Sequence, residues 1–226
     1  MRNNTCPGTA SHLKSTTFAH QFTIRPFMQI KATAVSNLTD ARYFAAQNVA
    51  FLGFILEENH PDYLQPAQMK AMREWVEGPA IVGEFFDSSF DLVREALDFF
   101  QLDAVEVPAD PGRSNWHVLD GLQVLARCTA NTPEAVENLA RQLPIKIAFF
   151  VVDCTAADLL AAPEAWAALC AEFPVLLHTD ADAQQLLLIR DQVRPAGFSV
   201  RGGDEEQVGV KSFDEIDALF EVLEQE

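Results

Sequence analysis

The first strand and the first helix are predicted from residues 30–41, which read Ile30-Lys31-Ala32-Thr33-Ala34-Val35-Ser36-Asn37-Leu38-Thr39-Asp40-Ala41. The first part predicts a short strand over residues 29–33. Ser36 and Asn37 are favoured helix N-cap residues, so a helix is expected to follow over residues 40–47. A strand that turns directly into a helix is the repeating unit of α/β proteins.

The same alternation continues along the chain. The other predicted strands are mostly short apolar runs, which are typical of parallel strands buried on both faces. They cover residues 50–56, 80–86, 103–107, 122–127, 145–153, 175–178 and 197–201, and helical patterns cover residues 66–76, 89–100, 133–142, 163–172, 181–193 and 212–224. Eight strands alternating with seven or eight helices predict a single α/β domain, a (β/α)8 TIM barrel.

Two features qualify this prediction. An open doubly wound sheet is the alternative, but no Gly-x-Gly-x-x-Gly motif follows the first strand. The stretch 110–120, where the fourth helix should lie, contains Pro111, Gly112 and Asn115. These residues interrupt helices, so we expect the fourth helix to be short or missing.

The charge of the chain excludes some classes of function. The net charge is −17, and residues 1–27 carry +3 without any acid, which leaves −20 for the remainder. Such an acidic body predicts no binding to nucleic acid, because phosphates would be repelled. No apolar run reaches the about 18 residues of a membrane helix, so no membrane association is expected.

The four cysteines are Cys6, Cys128, Cys154 and Cys170. They form no Cys-x-x-Cys pair and have no histidine cluster nearby, which argues against a zinc site or a disulfide framework. Reduced thiols in a cytoplasmic protein are therefore expected.

The domain organisation divides at Met28. Residues 1–27 are rich in Ser and Thr and have no periodic apolar pattern, so we expect a disordered N-terminal extension. A transit peptide is the alternative for this acid-free segment. Residues 28–226 form the predicted barrel, and Met28, directly before the first strand, is a candidate start.

Several stretches follow the motifs of one enzyme family. The opening run is similar to V-K-I-C-G-I-T-N-x-x-D-A, and Leu52-Gly53-Phe54-Ile55 resembles a second strand with G-F-[VI]. Residues 59–66 resemble K-S-x-R-Y-[IV]-x-P, and residues 193–203 resemble V-x-P-x-x-V-D-V-S-S-G. In this order, across residues 29–224, the motifs resemble phosphoribosylanthranilate isomerase, which performs the Amadori rearrangement of tryptophan biosynthesis. That reaction implies an isomerase without a cofactor.

The resemblance implies two catalytic positions. Asp153 ends the sixth strand, where the family has its general acid. Thr33 ends the first strand, where the family has a cysteine as general base. A threonine hydroxyl is too weak a base without an activator, so position 33 is expected to be inactive. Cys154 is no substitute, because neighbouring side chains alternate along a strand and Cys154 should point away from the mouth.

The resemblance also implies binding positions. Asp62 stands where the family has the arginine that holds the anthranilate carboxylate, which reverses the charge. Glu106 replaces a glutamine on the fourth strand, and Glu84 on the third strand adds a further acid near the same rim. Lys31 lies two residues before Thr33 and therefore on the same face of the first strand. We expect it to be buried beside a carboxylate such as Glu106 or Asp153.

A phosphate site is expected to be weak. Arg201, Gly202 and Gly203 follow the eighth strand and keep half of the family's phosphate cradle, whereas no glycine follows the seventh strand. The alternative is a tight turn in which Arg201 pairs with one of the acids at positions 204–206. Carboxylates at the mouth could also attract a divalent cation, but no spacing marks a metal site, so none is expected.

Three hypotheses about function remain open. The chain is an isomerase of this family with doubtful activity, an enzyme on another small substrate, or a non-catalytic barrel that acts through a ligand or partner. A small molecule, with a sugar phosphate as one candidate, is the expected partner. The sequence leaves both a monomer and a homodimer open.

Overall fold

The computed structural model describes residues 28–129, 131–202, 205–207, 210–211 and 214–224. Eight parallel strands pair in sequence order and close into a barrel through β1 and β8. The strands are β1 Gln29–Thr33, β2 Phe51–Ile55, β3 Ala80–Glu84, β4 Ala104–Pro108, β5 Val124–Cys128, β6 Phe149–Asp153, β7 Val175–His178 and β8 Gly197–Arg201. The predicted (β/α)8 barrel is confirmed.

The helices form the outer layer. They are α1 Leu38–Ala46, α2 Pro66–Arg73, α3 Phe90–Phe100, α4 Pro133–Gln142, α5 Ala156–Ala161, α6 Pro163–Glu172, α7 Ala183–Gln192 and α8 Asp214–Glu224. A two-stranded hairpin, β9 Glu205–Gln207 with β10 Val210–Lys211, lies between β8 and α8.

The prediction for the fourth helix is confirmed. Only a 3-10 helix, Trp116–Leu119, follows β4 among the described residues. The predicted cap of the first helix is also present, because the Asn37 side chain accepts a hydrogen bond of 2.9 Å from the Asp40 N–H. The short helix α5 was not predicted, since six residues are too few for a clear helical period.

The barrel interior has two chemical layers. Near the beginnings of the strands, the inward-facing side chains are apolar: Phe51, Val82, Ala104, Leu125, Val151 and Leu176. Because side chains alternate along a strand, residues two positions later also face inward. Several of these are charged: Glu84, Glu106, Arg127 and Asp153. The sequence thus places an apolar floor beneath a charged layer at the mouth.

Two expectations concern residues that the structure does not describe. Residues 1–27, the expected extension, and Gly203, part of the expected phosphate cradle, both lie outside the described ranges. Within those ranges, no helix combines the length and apolar character needed to cross a bilayer.

Barrel closure depends on a close backbone approach at Gly197. β1 and β8 pair over five residues, from Gln29 opposite Gly197 to Thr33 opposite Arg201. A Cβ atom at Gly197 would lie 1.7 Å from the Gln29 carbonyl oxygen. A main-chain atom cannot move aside as a flexible side chain can, so only glycine fits.

We predict that Gly197→Ala lowers the free energy of unfolding by about 3 kcal/mol, the upper end of over-packing costs. Urea unfolding followed by circular dichroism measures this change. Gly112→Ala is the control, because its Cβ would meet only the exposed Asp110 side chain at 3.1 Å. Equal stability of the two variants would contradict the close approach.

Candidate functional site at the barrel mouth

Six side chains form a connected cluster inside the C-terminal end of the barrel. This mouth network consists of Lys31, Thr33, Glu84, Glu106, Arg127 and Asp153. Its members come from β1, β3, β4, β5 and β6, which is how barrel enzymes assemble their active sites. Five of these residues were singled out from the sequence, and Arg127 was missed.

Lys31 lies at the centre of the network with no exposed surface. Its ammonium group donates a hydrogen bond to Glu84 and lies 2.8 Å from Glu106 Oε2. Burial alone would lower the pKa of Lys31, but the charges of Glu106 and Glu84 raise it above its ordinary value. The expectation that Lys31 is buried beside Glu106 is confirmed, with Glu84 as its second partner.

The space for this ion pair comes from Gly53 on β2. A Cβ atom at position 53 would lie 2.0 Å from Glu84 Oε1 and 3.0 Å from Lys31 Nζ. The missing side chain therefore leaves room for the Lys31–Glu84 pair inside the barrel.

Arg127 connects the other side of the network. Its Nε donates to Glu106 Oε1 over 2.6 Å, and its Nη1 lies 3.5 Å from Asp153 Oδ2. Its guanidinium carbon also lies 5.9 Å from the centre of the Phe86 ring, a cation–π contact. Burial would raise the pKa of Glu106, but the charges of Lys31 and Arg127 hold it below its ordinary value.

Thr33 is held on both sides of its hydroxyl. Oγ1 donates to Glu84 Oε1 over 2.6 Å and accepts from Arg127 Nη2 over 3.4 Å. The next residue, Ala34, has a φ of 53° and donates its N–H to Glu84 Oε2 over 3.2 Å. Glu84 thus fixes both the side chain of Thr33 and the backbone that follows it.

Asp62 and Arg201 form an ion pair at the rim, with Nη2 of Arg201 2.8 Å from Oδ2 of Asp62. Asp62 lies in the loop after β2 and Arg201 ends β8, so the pair bridges the two neighbours of β1. Asp62, at the family's carboxylate-clamp position, and Arg201, at the expected phosphate-binding position, are therefore paired with each other. The alternative, a pairing of Arg201 with one of the acids at positions 204–206, concerns side chains outside the described part of the chain and stays a prediction.

His178 ends β7 directly opposite Asp153 in the strand register. Its Nδ1 lies 2.9 Å from the Ser199 carbonyl oxygen. A carbonyl oxygen only accepts, so Nδ1 carries the hydrogen and the neutral ring has its lone pair on Nε2. His178 has the strand parity of Leu176, which places it on the inner face of the barrel.

Asp153 is the most accessible carboxylate of the network. Its side chain is 34% exposed, whereas those of Glu84 and Glu106 are 1% and 2% exposed. Its Oδ1 is itself buried and accepts no hydrogen bond from the described residues. Cys154, beside it in sequence, is buried, and burial, with the nearby charge of Asp153, raises the pKa of its thiol to about 12. The expectation that Cys154 offers no base is thus supported.

Arg127 and His178 were missed for an identifiable reason. Each ends a predicted strand two positions after a leucine, Leu125 or Leu176, that faces the barrel interior. Side chains two positions apart lie on the same face of a strand, so this spacing was the signal that Arg127 and His178 also face inward. Metal-ligand geometry offers no further lead, since the described ranges contain no group of three or more His, Cys, Asp or Glu side chains that could hold an ion.

Comparison with known proteins identifies the architecture. No protein-family model and no curated protein sequence matches the chain. Phosphoribosylanthranilate isomerase from Thermus thermophilus matches in structure with a TM-score of 0.67 at 22% identity, covering 87% of this chain and 98% of that one. The Pyrococcus furiosus isomerase has a TM-score of 0.68 at 14% identity, with the same coverage of each chain. The chain is therefore a divergent barrel with the fold of phosphoribosylanthranilate isomerase.

We predict that Lys31→Met lowers the free energy of unfolding by about 3–5 kcal/mol, because it leaves Glu84 and Glu106 buried without their shared cation. Urea unfolding at neutral pH measures the loss. Lys70→Met on the exposed surface of α2 is the matched control and should change stability by less than about 0.5 kcal/mol. A Lys31→Met protein as stable as the control would show that the buried ammonium is not required.

Proposed function

We propose that this barrel binds a small polar molecule of low charge at its C-terminal mouth and is at most a poor catalyst of the phosphoribosylanthranilate rearrangement. The observation that carries the proposal is the state of Thr33, at the position of the family's general base. Its hydroxyl is already engaged by Glu84 and Arg127. Among the described residues, no free proton-accepting group lies at this position.

The chemistry of the rearrangement makes this loss severe. A base must remove a proton from carbon while an acid protonates the ring oxygen of the same substrate. A threonine hydroxyl is a weak base, and here its proton points to Glu84. Glu84 cannot readily take over, because Lys31, Thr33 and the Ala34 N–H occupy its two oxygens. An acid at Asp153 alone would leave the reaction incomplete.

The charge of the mouth also disfavours the family substrate, which carries a carboxylate and a phosphate. The network contains two cations, Lys31 and Arg127, against the three carboxylates Glu84, Glu106 and Asp153. The rim pair of Asp62 and Arg201 adds no net charge. A mouth with one excess negative charge repels a doubly anionic ligand and tolerates a neutral one.

The accessible groups indicate what the ligand offers. Asp153 is a partly exposed acceptor, and His178 has its Nε2 left to accept. A ligand with several hydroxyl or amine donors would match them. Any phosphate is held weakly, through Arg201, Gly202 and Gly203, because Arg201 must first leave Asp62.

A second candidate function rests on His178. Because its ring is oriented by the Ser199 carbonyl and it faces Asp153 in register, it could serve proton transfer on a substrate other than phosphoribosylanthranilate. In this candidate function the mouth remains the site, and the general base is His178 on β7 in place of the residue at position 33 on β1.

We predict that the purified protein turns over N-(5-phosphoribosyl)anthranilate far below the roughly 10 per second typical of enzymes and does not rescue a tryptophan auxotroph lacking the isomerase. The reason is the missing base and the repulsive mouth. A fluorescence assay that follows the loss of N-(5-phosphoribosyl)anthranilate measures the rate. Turnover within about tenfold of the typical value would overturn the proposal, and Asp153→Asn would then be expected to abolish it.

Binding of a small polar ligand of low charge at the mouth is tested separately from catalysis. In an NMR titration, D-ribose should perturb signals at the mouth at least as strongly as ribose 5-phosphate does. Asp153→Asn should weaken the response to ribose, whereas Asp120→Asn, at the opposite end of the barrel, should not. Tight binding of ribose 5-phosphate that survives Arg201→Ala would contradict the low-charge ligand.

A further inference from the structure

Two large apolar side chains are exposed at the end of the barrel opposite the mouth. Trp75, just after α2, is 66% exposed, and Phe99, in the last turn of α3, is 73% exposed. The helices run antiparallel to the strands, so their C-terminal ends lie where the strands begin. Arg73 joins the two helix ends by donating to the Phe100 carbonyl over 3.1 Å. Leu92, two turns earlier on the same face of α3, is 55% exposed.

We call Trp75, Leu92 and Phe99 the α2–α3 patch. Exposed apolar side chains grouped on one face mark an interaction surface more often than isolated ones do. Five exposed acids lie on the segments that carry the patch: Glu74, Glu77, Asp91, Glu95 and Asp98. Of the basic residues on these segments, Arg94 is within 3.9 Å of Asp98, Arg73 donates to main-chain carbonyls, and Lys70 on α2 is exposed, so five acids face three bases. The occupant should therefore be apolar and basic.

A second copy of the same face fits poorly. An isologous contact would bring the five acids of one copy towards those of the other, and like charges placed together oppose association. The rest of the described barrel belongs to the acidic body, which carries −20.

Residues 1–27 have the complementary chemistry. They contain three basic residues and no acid, and they carry the aromatic residues Phe18, Phe22 and Phe27. They join the barrel at Met28, directly before β1, at the same end as the patch.

Residues 1–27 are also long enough to reach the α2–α3 patch from Met28. β1 and β3 are two strands apart, which is about 10 Å at the barrel wall. Ten residue-to-residue steps separate Phe18 from Met28 and can span about 33 Å when extended, enough to pass outward to the helix layer.

We propose that residues 1–27 dock in cis on the α2–α3 patch, with Phe18 and Phe22 against Trp75 and Phe99. Composition alone led us to expect a disordered extension, and the exposed patch gives that segment a place on the barrel. A groove of about 460 Å³ at the same end, lined by residues such as Leu122, Lys146 and Ala148, is a weaker host. It lies beside β5 and β6, farther from Met28, and it presents a lysine to a basic segment.

Tryptophan fluorescence tests the docking directly. Of the three tryptophans, Trp116 and Trp166 are 4% and 1% exposed, so Trp75 alone should respond to a change at the patch. The full-length protein is compared with full-length Phe18→Ser/Phe22→Ser, and a Trp75→Phe version of each supplies the background. Docking predicts that Trp75 emits at longer wavelength and is quenched more by acrylamide once the two phenylalanines are replaced.

The controls separate docking from other effects. Thr16→Ala/Thr17→Ala, in the same segment, should leave Trp75 shielded, and high salt should expose it by screening the charge attraction. Phe99→Ser should expose Trp75 as the Phe18→Ser/Phe22→Ser change does.

Three results would overturn the proposal. Equal quenching in the full-length protein and the phenylalanine variant would show that the segment does not cover Trp75. Shielding that increases with protein concentration would place the segment on a second copy. A loss of thermal stability in the phenylalanine variant without a change at Trp75 would place it elsewhere, with the groove as the next site to test.

Discussion

The charge of Lys31, enclosed inside the barrel, is the constraint on which the mouth depends. An ammonium with no exposed surface is tolerated only when carboxylates surround it, and Glu84 and Glu106 do so. Those two carboxylates need further donors in turn, which Thr33 and Arg127 supply. The absent side chain of Gly53 gives the arrangement its space. The network is therefore one unit, in which loss of Lys31 leaves two buried carboxylates without their shared cation.

This unit also bears on the chemistry that the resemblance implies. Thr33 and Asp62, at the positions where the resemblance implies a base and a carboxylate clamp, are both engaged within the protein. Buried polar groups that are fully paired rigidify a structure and are unavailable for proton transfer. The more open side of the network is formed by Asp153, and His178 lies opposite it in the strand register.

Much of the fold could be predicted because each strand is a short apolar run and each long helix has a clear start. β1, β7, β8, α4 and α6 have their predicted bounds. The burial of Lys31 beside Glu106 followed from strand parity. Arg127 could not be assigned from its own segment, since nothing local shows that it faces three carboxylates from other strands. The Asp62–Arg201 pair joins residues far apart in sequence, and only the closed barrel brings them together. The roles of Asp153, Arg201 and the two glycines after it stay predictions.

A double-mutant cycle on Lys31 and Glu84 tests the central claim most directly. The free energies of unfolding of Lys31→Met, Glu84→Gln and the double variant are compared with that of the unsubstituted protein. If the buried pair organises the mouth, each single change strands a partner, and the double variant should be more stable than the sum of the two losses by about 1–3 kcal/mol. Losses that add without coupling would contradict the account, because Lys31 and Glu84 would then contribute independently.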